Sequence, residues 1–182
     1  MNLNIRLVGS EEMEQVLDIQ RQAIQNLCSK DYNPHQVDAI VRSQHKWRGT
    51  YERIYVAEKD QALVGFIAVS PCKTNIAGLY VHPDHTRQGI ATQLLQYFER
   101  LAIENKRHRI WVTSSLTAVA LYQSQGYVGV GKTKINALGI SIPCLFMEKY
   151  TSVPPPQYPL GIPLAVLWVA VLLVGIILLL LR

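Results

Sequence analysis

The sequence predicts an α/β domain, a mixed and mainly antiparallel sheet with helices on both faces, followed by one C-terminal transmembrane helix. Three observations carry this. Along residues 1–150, short Val-, Ile- and Tyr-rich segments are interleaved with stretches whose apolar residues recur at helical spacing. Two such segments flank Asp60-Gln61 and read as an antiparallel hairpin. From Leu164 to Leu181 every residue is apolar.

In order, Asn4 to Val8 alternates Ile5 and Leu7 with polar neighbours and predicts a strand. Ser10, followed by Glu11 and Glu12, reads as a capped helix start, with Val16, Ile19, Ala23, Ile24 and Leu27 on one face. Asn33-Pro34 opens a second helix carrying Val37, Ile40 and Val41. Arg53–Glu58 and Leu63–Ser70 form a hairpin around Asp60-Gln61. Asn75–Val81 is a strand stopped by His82-Pro83, and a long helix runs from about Gly89 to Asn105 with Ile90, Leu94, Leu95, Phe98 and Leu101 on one face. A short strand over Ile110–Thr113, a short helix over Leu116–Gln123 ending at Gly126, and strands near 127–132 and 142–149 complete the domain. The order β α α β β β α β α β β suits a sheet covered on both faces.

Composition narrows the function. The 182 residues carry a formal net charge of +5, a mild excess that suits a polyanionic ligand or an anionic membrane surface. The small cluster Lys106, Arg107, His108, Arg109 reads as a solvated helix end rather than a nucleic-acid site. Cys28, Cys72 and Cys144 are far apart and without CxxC spacing, so neither a metal site nor a disulfide framework is expected, and they read as small buried hydrophobes. The start, MNLNIRLVGSEEMEQ, lacks the apolar core of a signal peptide.

The C-terminal part reads differently. Residues 151–163 contain Pro154, Pro155, Pro156, Pro159 and Pro163 and predict a stiff linker. Residues 160–181 are uninterrupted by charge; as a helix they would rise roughly 33 Å, against a hydrocarbon core of about 30 Å. A single-pass membrane anchor with residues 1–150 facing the cytoplasm is expected.

The stretch Leu79-Tyr80-Val81-His82-Pro83-Asp84-His85-Thr86-Arg87-Gln88-Gly89-Ile90-Ala91-Thr92 carries the chemistry. A strand ends, a proline loop turns, and a glycine leads into an amphipathic helix. The free amides and positive dipole end of a first turn attract an anion, and Gly89 and Ala91 let a phosphate approach the backbone. Arg87 adds a charge and Thr92 a hydroxyl.

This stretch resembles motif A of the GNAT superfamily of acyl-CoA N-acyltransferases, Val-x-Pro-x-x-(Gln/Arg)-x-x-Gly-x-(Gly/Ala), with Val81, Pro83, Gly89 and Ala91 in place and Thr86 at the Gln/Arg position. A second block, Ser115 through Ala118, Tyr122, Gly126 and Tyr127, resembles the family's Asn-x-x-Ala-x-x-x-Tyr-x-x-x-Gly-Phe, with Ser115 for Asn. The closing segment Ile142-Pro143 to Lys149 and Asp31-Tyr32 resemble YafP-like members. The resemblance implies a GNAT fold over residues 1–150 and acetyl-CoA as co-substrate. Arg87, Gln88, Gly89, Ile90, Ala91 and Thr92 would hold the CoA pyrophosphate, and Leu79, Tyr80 and Val81 would bind the pantetheine arm by backbone. Tyr122 would be the catalytic general acid for the departing thiolate. No general base is marked: Ala77 and Gly78 stand where many members place a carboxylate, leaving His82, His85, Asp31, His35 or water. The acceptor is expected to be an amine, of a small molecule or a protein. A non-catalytic CoA-binding or interaction module on a membrane anchor is the competing reading, and no GxGxxG supports a dinucleotide site.

Overall fold

The computed structural model describes residues 3–44, 49 and 51–155. The expected element order is found: β1 (Asn4–Leu7), α1 (Met13–Leu27), α2 (Pro34–Gln44), β2 (Arg53–Lys59), β3 (Ala62–Val69), β4 (Asn75–Val81), α3 (Ile90–Glu104), β5 (Arg109–Ser115), α4 (Val119–Ser124), β6 (Val128–Ala137) and β7 (Ile140–Tyr150). The strands form one seven-stranded sheet in the order β1-β2-β3-β4-β5-β7-β6, antiparallel everywhere except between β4 and β5.

Strand alternation sorts the core into two layers. Ile54, Val56, Phe66 and Ala68 pack with Val16 and Ile19 of α1. Tyr55, Ala57, Ile67 and Val69 point the other way, onto Ile90, Leu94, Leu95 and Phe98 of α3 and Tyr122 of α4. Farther along the sheet, Ile24, Ile40, Ile142 and Cys144 join α1 and α2 to the β6–β7 hairpin. Burial of these apolar faces is the main stabilising term, at roughly 25 cal/mol per Å².

Local chemistry explains the joints. Asp60 and Gln61 both adopt positive φ, 52° and 65°, as a two-residue hairpin turn matching strand twist requires. Asn33 and Gln36 exchange backbone-to-side-chain hydrogen bonds of 2.9 and 3.1 Å, a capping box at the start of α2. The cap before α1 differs from expectation. Gly9, not Ser10, takes that position; its N–H donates to Glu12 at 2.7 Å, and a 3-10 turn over Ser10–Glu12 precedes the α-helix. Cys72 also departs from the sequence reading. It is exposed in the β3–β4 turn, 3.2 Å from the Ser70 hydroxyl and 3.0 Å from that of Thr74, whereas Cys144 is buried.

Gly65 marks the tightest crossing of the core. A Cβ there would lie 2.8 Å from the Tyr80 carbonyl oxygen and 3.3 Å from Val81 Cγ2. Backbone must therefore move to admit it. Gly65→Ala is expected to destabilise the domain by about 1–3 kcal/mol, read from denaturant midpoints; an unchanged midpoint would mean β3 and β4 spread freely.

Among the described residues, no helix is long and apolar enough to cross a membrane. The expected anchor, residues 160–181, and most of the linker lie outside the described residues.

Candidate active site

The site begins where the sheet opens. β4 and β5 are parallel but pair only at Asn75↔Trp111 and Ile76↔Val112. Just there, the register with β3 shifts: Val69 faces Ile76 while Ala68 faces Gly78, so Ala77 is an extra residue, a β-bulge. The bulge turns β4 away from β5. Beyond it, the β4 edge from Ala77 to Val81 faces a cleft instead of a strand. β5 is held on its other side by β7, from Arg109↔Tyr150 to Ser115↔Cys144.

The outer part of the cleft is a cavity of about 770 Å³. Leu79, Tyr80, Val81, Arg87, Gly89, Ile90, Ala91 and Thr92 all line it. Arg87 and Gly89 have φ of 60° and 77°, so the chain coils through two left-handed residues into α3. The first intrahelical bond runs from the Gln93 N–H to the Gly89 carbonyl at 3.0 Å. The amides of Ile90, Ala91 and Thr92 precede it and have no carbonyl within the helix to donate to, which makes this end an anion cradle. A Cβ on Gly89 would meet nothing within 4 Å, so the glycine borders open space at the helix end. The residues present therefore fit a diphosphate-bearing ligand. Gln88 stands apart from its neighbours: its side chain does not line the cavity and instead accepts a 3.0 Å hydrogen bond from Lys59 Nζ. Thr86 donates its hydroxyl to the Pro83 carbonyl at 2.9 Å and stiffens the loop.

Deeper in, a second cavity of about 130 Å³ lies between the parted strands, α1, α2 and the β6–β7 hairpin. The two cavities share Cys28, Leu79, Tyr80, Ser115 and Ala118, so they form one path. Tyr122 lines the inner one and is 3% exposed. Its placement follows from how α4 ends. The Tyr127 N–H donates to the Tyr122 carbonyl at 3.0 Å and the Gly126 N–H to that of Gln123 at 3.0 Å, with Gly126 at φ 83°. This is a Schellman motif, and its usual apolar contact is the edge-to-face pair of Tyr122 and Tyr127, centroids 5.3 Å apart. Burial, with a smaller contribution from Tyr80, pushes the Tyr122 phenol well above its ordinary range. It therefore holds its proton at any physiological pH.

Several residues in the cleft were not singled out as site residues from the sequence. Tyr32 lines the inner cavity; it donates to the Pro143 carbonyl at 2.9 Å and accepts from the Leu116 N–H at 2.8 Å, so one hydroxyl ties the α1–α2 corner to β7 and to the turn before α4. Burial pushes it up to about 12. Asp31 accepts from the Thr117 hydroxyl at 2.8 Å across the outer cavity, which Asn26 and Lys30 also line. Asp31 was among the base candidates read from the sequence; for Tyr32 the only cue was the Asp31-Tyr32 pair itself. Of the base candidates, Asp31 and His85 border the outer cavity, His82 lies on a separate groove beside Glu14 and Asp18 of α1, and His35 is exposed at the start of α2. None lines the inner cavity with Tyr122.

Known proteins resemble this chain in sequence and in fold. The chain is 27% identical over 141 residues to YafP of Escherichia coli K12, an uncharacterized N-acetyltransferase, covering 76% of this chain and 89% of that protein. Its fold is similar to a GCN5-related N-acetyltransferase from Rhodopseudomonas palustris, with a TM-score of 0.78 at 22% identity over 82% of this chain and 96% of that one. It is also similar to the PaiA N-acetyltransferase from Thermoplasma acidophilum, solved in complex with coenzyme A, with a TM-score of 0.63 at 20% identity over 82% and 99% of the two chains. Residues 18–149 match the acetyltransferase (GNAT) domain family, and the chain belongs to that family.

Proposed function

We propose that this protein is an N-acetyltransferase that moves an acetyl group from acetyl-CoA to a primary amine, and that residues 160–181 tether it to a membrane with residues 1–150 on the cytoplasmic side. The observation that supports the chemistry is the single path from the amides opening α3, along the open edge of β4, to the Tyr122 side chain. The coenzyme A complex of the Thermoplasma acidophilum relative supports the choice of cofactor.

Acetyl-CoA, when bound, supplies a thioester whose carbonyl carbon accepts the amine. The Ile90, Ala91 and Thr92 amides, with Arg87, hold the diphosphate at the outer end. Leu79 to Val81, which line the outer cavity, take the pantetheine amides by backbone, as an added strand would be taken. Tyr122 stays protonated and gives its proton to sulfur as the C–S bond breaks and the C–N bond forms. The inner cavity has no carboxylate or imidazole among its described lining, so the amine's proton leaves to water, and water restores the phenol.

The test is CoA release by the full chain with acetyl-CoA and a panel of primary amines. Amine-dependent release is expected. Binding of acetyl-CoA without turnover of any amine would support the non-catalytic module instead. For the tether, deletion of residues 160–182 is expected to move the protein from the membrane pellet to the supernatant; a full chain already in the supernatant would contradict it.

A further inference from the structure

We infer that the end of the domain carrying Lys73, Lys106 and Arg107 docks on an anionic lipid surface, which turns the head of α3 towards water. This deepens the membrane-tether reading and rests on it; the acetyl-transfer chemistry stands or falls separately. The basic run at residues 106–109 gains its meaning from what the fold places beside it. α3 stops with Lys106 at φ 56° and with the Arg107 N–H donating to the Ala102 carbonyl at 2.9 Å, and both residues are exposed. Lys73, in the β3–β4 turn, donates to the Asn105 side chain at 2.9 Å and so joins them. The last described segment is tied to the same place. The Thr151 N–H donates to the His108 carbonyl at 2.8 Å, and its hydroxyl to the Arg107 carbonyl at 2.6 Å. The chain therefore leaves the folded domain beside the basic patch.

Charge and reach point the same way. Arg109 is paired with Glu148, and Glu104 lies exposed on the last turn of α3 and offsets one cation. Lys73, Lys106 and Arg107 are in no ion pair among the described residues. Each Lys or Arg brought to an anionic leaflet adds about a fivefold preference for it, so three give roughly 100-fold before the share that Glu104 repels. Tyr150, 64% exposed, flanks the patch; an aromatic ring with a polar tip suits the headgroup level. Residues 151–159 reach roughly 30 Å when fully extended, so the anchor expected at residues 160–181 holds this end at high effective concentration over the bilayer. The 15 residues of α3 rise roughly 22 Å from the patch to the cofactor cradle. The cradle and the outer cavity thus stay clear of the lipid, where a water-soluble cofactor enters.

The test reconstitutes the full chain in phosphatidylcholine vesicles with or without phosphatidylserine, each carrying an energy-acceptor dye on a headgroup. A donor dye is placed on Cys72, the exposed thiol next to Lys73, or on Asp60→Cys in a Cys72→Ser background. Asp60 marks the opposite end, since Lys59 beside it bonds Gln88 at the head of α3. Transfer from Cys72 is expected to exceed that from Asp60→Cys, to need phosphatidylserine, and to fall at 1 M salt, where the Debye length is about 3 Å. Lys106→Gln with Arg107→Gln is expected to lower the docked-to-undocked ratio about 25-fold at an unchanged melting temperature. Three results overturn the inference: equal transfer from the two probes; transfer from Cys72 indifferent to phosphatidylserine or to salt; or a ratio unmoved by the double substitution. Flotation of the full chain with pure phosphatidylcholine vesicles reports the tether separately. A chain that floats while failing the transfer test leaves the tether standing, and one that does not float overturns both.

Discussion

Tyr122→Phe is expected to lower kcat by about 10²–10³-fold, the usual worth of a positioned general acid, while the dissociation constant for acetyl-CoA stays within about twofold. The separation follows from where the residue sits. Tyr122 lines the inner cavity and not the outer one that carries the α3 amides. Phenylalanine keeps the ring, hence the edge-to-face contact with Tyr127 and the Schellman turn, which uses only backbone of residue 122. Only the hydroxyl is lost. Its pH signature is also defined. Burial raises the phenol above its ordinary value of about 10, so the acid form persists as pH rises. The rate should show no falling limb from this group below about pH 10. A Phe variant with wild-type kcat would remove Tyr122 from the chemistry.

The second large effect is expected at Gly89. Gly89→Val should weaken acetyl-CoA binding by at least about 100-fold, with kcat at saturating cofactor little changed. Two costs combine. A β-branched residue at φ 77° is strained by about 1–2 kcal/mol. Its side chain would also project into the open space at the head of α3, where a diphosphate must approach the amides. The first cost appears as a lowered melting temperature. The second appears only in binding, so calorimetry at a temperature where the variant is folded separates them. Affinity unchanged in folded Gly89→Val would place the anion elsewhere.

How far the sequence carried these conclusions depended on the range of the forces involved. Helix α3 and strand β4 were legible because their cues are local: Leu94, Leu95 and Phe98 at helical spacing, and His82-Pro83 as a stop. Strand β5 runs to Ser115 instead of Thr113, and β6 to Ala137 instead of Lys132. Each is extended by pairing with β7, a partner that composition does not name. The bulge at Ala77 shifts register by one residue and leaves only a small Ala-Gly pair as a trace. Tyr32 acts through a carbonyl 111 positions away, which no spacing rule reaches. At the cap before α1, Gly9 took the position expected of Ser10, with its N–H held by the Glu12 carboxylate. The residues grouped for the cofactor meet in one cavity, apart from the Gln88 side chain, which Lys59 draws aside.

The account depends on the head of α3 gripping a diphosphate, and calorimetric titration of the folded full chain with acetyl-CoA measures that directly. Saturable heat with a dissociation constant in the micromolar range, lost on Gly89→Val, is the predicted result. No heat at millimolar acetyl-CoA would contradict it.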